Sequence, residues 1–133
     1  MTVFGQLVIG PPGAGKTTYC DGMQQMLTQL KRDNLIINLD PGNDAVPYEC
    51  GIDIRELISV EDVMEEFQLG PNGSLIYCME FILENIDWLK KKFDTLCSGK
   101  YIIFDMPGQV ELYTHHNALR DVVGHLQAWD CRL

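Results

Sequence analysis

The sequence predicts an α/β domain with a mostly parallel sheet, and three observations carry that expectation. Short runs that are almost wholly apolar, "VFGQLVIG", "NLIINLD" and "KYIIFD", read as strands buried on both faces. Segments with helical spacing alternate with them. Each run ends in a turn rich in Gly, Pro or Asp, the edge where such sheets bind ligands. At 133 residues the chain is the size of one domain, residues 1–133, and no repeat or linker divides it.

The elements follow in order. The first strand lies within residues 3–10, and a helix over residues 17–30 places Met23, Met26, Leu27 and Leu30 at helical spacing. The second strand covers residues 34–40 and is closed by Pro41 and Gly42. Residues 42–51 read as a loop, residues 52–58 as a short helix, and residues 60–67 as another, opened by Ser59 with acidic residues in its first turn. Gly70, Pro71 and Asn72 then stop one helix and start the next, with Gly70 as the stop and Asn72 as the cap. From there Leu75, Met79, Ile82, Ile86, Leu89 and Phe93 recur every three or four residues and predict one long helix with a core-facing stripe. A third strand spans residues 100–105, and a last helix runs from about Asn117 to Trp129.

Composition excludes several classes of function. Nineteen acidic against ten basic residues give a net charge of −9, which repels nucleic-acid backbones and anionic lipid. No direct nucleic-acid or membrane partner is expected, so an anionic ligand needs a local device that works against the overall charge. The five cysteines are widely spaced and never form C-x-x-C, so a disulfide framework and a zinc site are both disfavoured. The N-terminus has no basic region before its apolar run, and no apolar stretch approaches the roughly 18 residues of a membrane span.

One local device for an anion is present. "GPPGAGKT" matches G-x-x-x-x-G-K-[ST] directly after a strand and before a helix. Its glycines let backbone N–H groups curl around phosphate oxygens, and the following helix aims its positive end at them. Lys16 adds a charge near the outer phosphates, and Thr17 offers a hydroxyl to Mg²⁺. Downstream, "DMPGQVE" places Asp105 at the end of a strand on the same sheet edge, where its carboxylate can organise Mg²⁺ directly or through water. Gly108 can present an N–H to a terminal phosphate, and Gln109 and Glu111 can orient an attacking water. Asp40 ends the second strand at the same edge and serves either as a turn-initiating residue before Pro41 or as a Mg²⁺ or water ligand. The adjacent His115 and His116 point apart and read as structural.

Taken together, "GPPGAGKTTYC", "NLDPGN", "DIRELI", "GPNG" and "DMPGQVELYTHH" resemble the GPN-loop GTPases, in that order and over nearly the whole chain. The resemblance implies a P-loop NTPase three-layer sandwich and a Mg²⁺-dependent enzyme that hydrolyses GTP. It also implies a homodimer or a heterodimer with other family members, and a role in assembling RNA polymerase II with its subunits or assembly factors before nuclear import. A cytoplasmic location is implied, with shuttling to the nucleus left open. Carried over residue by residue, Gly13, Ala14, Gly15, Lys16, Thr17 and Thr18 hold the phosphates, Thr17 and Asp40 serve Mg²⁺, and Asp105, Gln109 and Glu111 place the catalytic water. Gly70, Pro71 and Asn72 form the loop that reaches a partner's site, with Asn72 standing where other enzymes use an arginine finger.

The family's [NT]-K-x-D loop, which reads guanine, has no counterpart before Leu133, so the domain is expected to be C-terminally truncated. The first strand is accordingly expected to expose the edge of "QLVIG", residues 6–10, where its next neighbour would pair. Two other readings share these motifs. One is a small-molecule kinase on the same fold, which would have no use for Asp105-x-x-Gly108-Gln109. The other is a non-catalytic form that pairs with intact relatives.

Overall fold

A computed structural model describes residues 2–9, 15–43, 46–108 and 117–133. Its strands are β1 (Val3–Val8), β2 (Asn34–Asn38), β3 (Cys50–Asp53), β4 (Tyr101–Asp105) and β5 (Cys131–Arg132). They form one sheet in the order β3-β2-β4-β1-β5, with every pairing parallel. The helices are α1 (Lys16–Gln29), α2 (Val60–Phe67), α3 (Pro71–Glu84), α4 (Ile86–Leu96) and α5 (Ala118–Ala128).

The two faces of the sheet are covered unequally. On one face α1 contributes Cys20, Met23 and Leu27 to a small cluster with Ile36 of β2 and Ile103 of β4. On the other, Leu75, Met79 and Ile82 of α3, Leu89 and Phe93 of α4, and Leu119, Val122 and Leu126 of α5 pack against Ile37, Ile102 and Phe104. The alternation along β4 sends Ile102 and Phe104 to one cluster and Ile103 to the other, and all three are fully buried. This is the three-layer α/β arrangement that the uniformly apolar strands predict.

Four local expectations are corrected. Residues 50–53 are a strand and not part of a loop and a helix; only Ile54–Glu56 turns helically, as a single 3₁₀ turn. That turn is capped by the Asp53 side chain, which accepts from the Arg55 backbone N–H. The long helix is two helices broken at Asn85, whose backbone N–H and side-chain amide both donate to the Phe81 carbonyl, at 3.0 Å and 2.9 Å. The apolar stripe continues across it because Leu89 and Phe93 still face the same core.

The start of α3 also differs from the sequence reading. Gly70 is the N-cap and Pro71 the first helical residue, where its missing N–H costs nothing; Asn72 lies inside the first turn and caps nothing. The stop expected of Gly70 is made two residues earlier by Gln68, which closes α2 in the left-handed conformation. Ser59 does open α2, accepting from the Asp62 N–H at 3.3 Å.

At the far edge a further strand follows α5. β5 pairs with Val3 and Phe4 of β1, and the Val3 N–H donates to the Asp130 carbonyl at 3.0 Å. Among the described residues its pairing reaches only those two positions of β1, and Phe4 and Ile9 are each about half exposed. Residues 6–8 of β1, within the stretch expected to form an open edge, have no strand partner on this side among the described residues.

Gly5 of β1 pairs with Ile102, and a Cβ there would collide with the Ile102 carbonyl oxygen, a backbone atom that cannot swing away. Gly5→Ala is therefore expected to cost about 1–3 kcal/mol by overpacking. Urea unfolding checks this, and an unchanged midpoint would count against it.

Candidate functional site

β1 delivers the chain to the C-terminal edge of the sheet, and Gly15 then starts α1 with φ 79° and ψ 20°. That left-handed conformation suits glycine and would strain any residue carrying a Cβ. Among the described residues no side chain caps α1 and no acidic residue sits in its first turn, so the turn that begins at Lys16, Thr17 and Thr18 presents N–H groups suited to an incoming acceptor. Thr17 is half-buried and Thr18 exposed.

Lys16 turns into the sheet edge. Its ammonium lies 3.0 Å from Oδ2 of Asp40 and 2.8 Å from Oδ1 of Asp105, and it donates to the Met106 carbonyl at 2.6 Å. The lysine side chain is 8% exposed and that of Asp105 is 0% exposed. Burial works against the charged lysine, but the two carboxylates outweigh it and hold its pKa above the ordinary 10.5. Lys16 therefore carries its charge throughout the neutral range.

Asp105 is the fixed point of the cluster. Its Oδ2 accepts from the Tyr48 hydroxyl at 2.8 Å and from the Asn43 amide at 3.2 Å. Its Oδ1 meets Lys16 as an ion pair but has no well-aligned hydrogen-bond donor among the described residues. Asn43 also donates to Oδ1 of Asn38 at 3.0 Å, and the same Asn38 oxygen accepts from the Asp40 N–H at 3.1 Å. Asn38 in turn donates to Asp53 at 3.1 Å, where Arg55 closes the chain of bonds. Beneath the site, burial first and the Asp105 charge second push the Cys20 thiol up to about 12, so it remains protonated and inert.

Three residues singled out in the sequence, Lys16, Asp40 and Asp105, thus meet within hydrogen-bonding distance although they lie far apart in the chain. Gly70, Pro71 and Asn72 are exposed at the start of α3, and among the described residues their side chains make no hydrogen bond to this cluster. The expectations for Gly13, Ala14, Gln109 and Glu111, and for His115 and His116, lie outside the described residues. Sequence reasoning missed Asn38, Asn43 and Tyr48. A polar Asn within an otherwise apolar strand was the available signal for Asn38.

A hard divalent cation fits these donors. All are oxygens, Asp40 and Asp105 bring two negative charges to one ammonium, and one buried Asp105 oxygen lacks an aligned partner among the described residues. Thr17, Asp40 and Asp105 are the residues that would hold it.

A parallel sheet in which the Gly-rich sequence "GPPGAGKT" links a strand to a helix, with a lysine aimed at acidic strand ends, defines a P-loop nucleotide-binding protein. Residues 8–133 match the family described as "conserved hypothetical ATP binding protein", and the chain belongs to that family. Over nearly its whole length it is homologous to GPN-loop GTPases. It is 59% identical to GPN-loop GTPase QQT1 of Arabidopsis thaliana over 93% of this chain, and 55% identical to GPN-loop GTPase 2 of Danio rerio over 98%. It is also 54% identical to GPN-loop GTPase 3 of Kluyveromyces lactis over 96%. The chain spans 42%, 42% and 46% of those relatives' lengths. Among solved structures, a GTPase in apo form from Pyrococcus abyssi superposes with a TM-score of 0.77 at 29% identity, covering 92% of this chain and 48% of that one.

Two predictions follow from the charges. Removing one member of the buried pair strands the other, so Lys16→Ala should lower the stability of the nucleotide-free protein by about 3 kcal/mol, and Asp105→Asn in the same chain should restore much of it. A double-mutant cycle by urea unfolding measures the coupling, and additive losses would contradict it. For Asp53, burial raises the pKa, but hydrogen bonds from Arg55 and Asn38 prevail and hold it below 3.8. A depressed folded pKa contributes stability above the unfolded value that is lost as pH falls through the folded one. Asp53→Asn should therefore be less stable than the parent at pH 7, and the gap should close below about pH 4.

Proposed function

We propose that this chain is the catalytic part of a Mg²⁺-dependent GTPase that cleaves the terminal phosphate of GTP. The observation that carries this is the Lys16 ammonium spanning Asp40 and Asp105 at the start of α1. Without nucleotide, those carboxylates neutralise the lysine. With nucleotide, Lys16 moves its charge to the outer phosphates while the open N–H groups of α1 take phosphate oxygens. Two carboxylates would then face a polyanion, an arrangement that requires a cation between them. Thr17, Asp40 and Asp105 would hold Mg²⁺, and the bound ion would neutralise charge that builds up on the phosphate oxygens.

Asp105 acts from its buried position as a fixed acceptor, and Gln109 and Glu111 are the residues assigned to orient the attacking water. Guanine as the base, and not adenine, is inferred from the names of the relatives. Dimerisation with a copy of itself or with other GPN-loop GTPases, a part in assembling RNA polymerase II, and a cytoplasmic location are proposals that rest on the family resemblance. Within that reading Asn72, exposed on the first turn of α3, is the group offered to the partner's phosphates.

Lys16→Ala is expected to abolish Mg²⁺–GTP binding in the full-length protein; calorimetric titration with GTP, ATP and GDP tests this, and unchanged binding would sink the assignment. Since Asn72 caps nothing, Asn72→Ala and Asn72→Ser should both leave the melting temperature and GTP affinity near the parent's while slowing hydrolysis at least tenfold. Turnover that follows stability instead would remove Asn72 from the mechanism.

A further inference from the structure

Tyr48 is buried in the connection between β2 and β3, and its ring packs in the cluster that contains Cys20, Ile36 and Ile103. Its hydroxyl reaches the Asp105 carboxylate, 57 positions away in the chain, at 2.8 Å. We infer that Tyr48, assisted by Asn43, is a positioning residue that fixes the rotation of the Asp105 carboxylate and so commits one named oxygen to the cation site. The inference rests on the nucleotide-binding reading above and extends it to residues outside the phosphate loop.

A carboxylate oxygen has about two acceptor positions, and Tyr48 and Asn43 fill those of Oδ2. Oδ1 is left over. It faces Lys16 at 2.8 Å without an aligned donor, which makes it the oxygen available to a cation once the lysine leaves. The terminal torsion of an Asp side chain is soft, so the strand holds the Cβ in place but leaves the carboxylate plane free to turn. The Tyr48 hydroxyl supplies the missing restraint, and the loop that carries it also carries Asp40 and Asn43. One loop therefore sets both carboxylates. Elsewhere in the site Asn38 ties the backbone of Asp40 and the side chain of Asn43 to β2, so the loop itself is held.

Tyr48→Phe keeps the ring and deletes only the donor. In the full chain, affinity for a fluorescent GTP analogue measured in EDTA should stay within about threefold of the parent's, because the phosphate loop is untouched. The gain in affinity on adding Mg²⁺ should fall about tenfold, the scale of one hydrogen bond to a charged group. Asn43→Ala should shift the same gain in the same direction by less, and it serves if Tyr48→Phe does not fold. A crystal structure of Tyr48→Phe without nucleotide should show the Asp105 carboxylate turned about its terminal torsion. An Mg²⁺-dependent gain equal to the parent's, or an unmoved carboxylate, overturns the inference. If the parent binds no GTP, the GTPase reading fails, while the crystal comparison still decides whether Tyr48 positions Asp105.

Discussion

The arrangement at the sheet edge depends on keeping the fully buried Asp105 carboxylate satisfied at the end of the central strand β4. A carboxylate taken out of water needs an opposite charge and hydrogen-bond donors. Lys16 supplies the charge from the start of α1, and Tyr48 and Asn43 supply donors from the β2–β3 connection. Each supplier is then committed to its place: α1 must begin beside β4, and the connection after β2 must fold back across the strand ends.

That commitment ties the β2–β3 connection to the strand ends. Leu39 and Tyr48 of the connection pack into the clusters on the two faces, Asn38, Asp40 and Asn43 are joined by a continuous series of hydrogen bonds, and Tyr48 anchors the far end. The Lys16 contacts involve the atoms that a phosphate and a divalent cation would exchange. Nucleotide binding in the proposed function is thus a substitution of ionic partners in a site that is already assembled, and the buried apolar clusters on both faces keep the strand ends in register while it occurs.

The local departures from the sequence reading have separate physical causes. "CGID" is too short and too interrupted by Gly51 to announce a strand, and it becomes one because β2 offers a free edge with matching backbone groups. The stripe from Leu75 to Phe93 predicts one helix since periodicity reports which face is buried and not whether the backbone is continuous; the backbone leaves the helical conformation at Asn85, with φ −112° and ψ 31°. Gln68 closes α2 in a conformation usually left to glycine, so the nearby Gly70 misled the reading of the boundary. The assignment of Asn72 as a cap failed because Pro71 already occupies the first helical position.

By itself the sequence determined the layer order, the strand and helix that bracket the phosphate loop, and the acidic strand ends, because apolar periodicity and turn chemistry are local properties. Lys16, Asp40 and Asp105 could be placed on one edge from topology alone. Only the tertiary structure decided that the lysine lies between the two carboxylates, that Asp105 is wholly buried, and that Tyr48 and Asn43 close on one of its oxygens. Those contacts join residues as far apart in the chain as Lys16 and Asp105, and their selection depends on burial and on side-chain rotation, which no local pattern encodes.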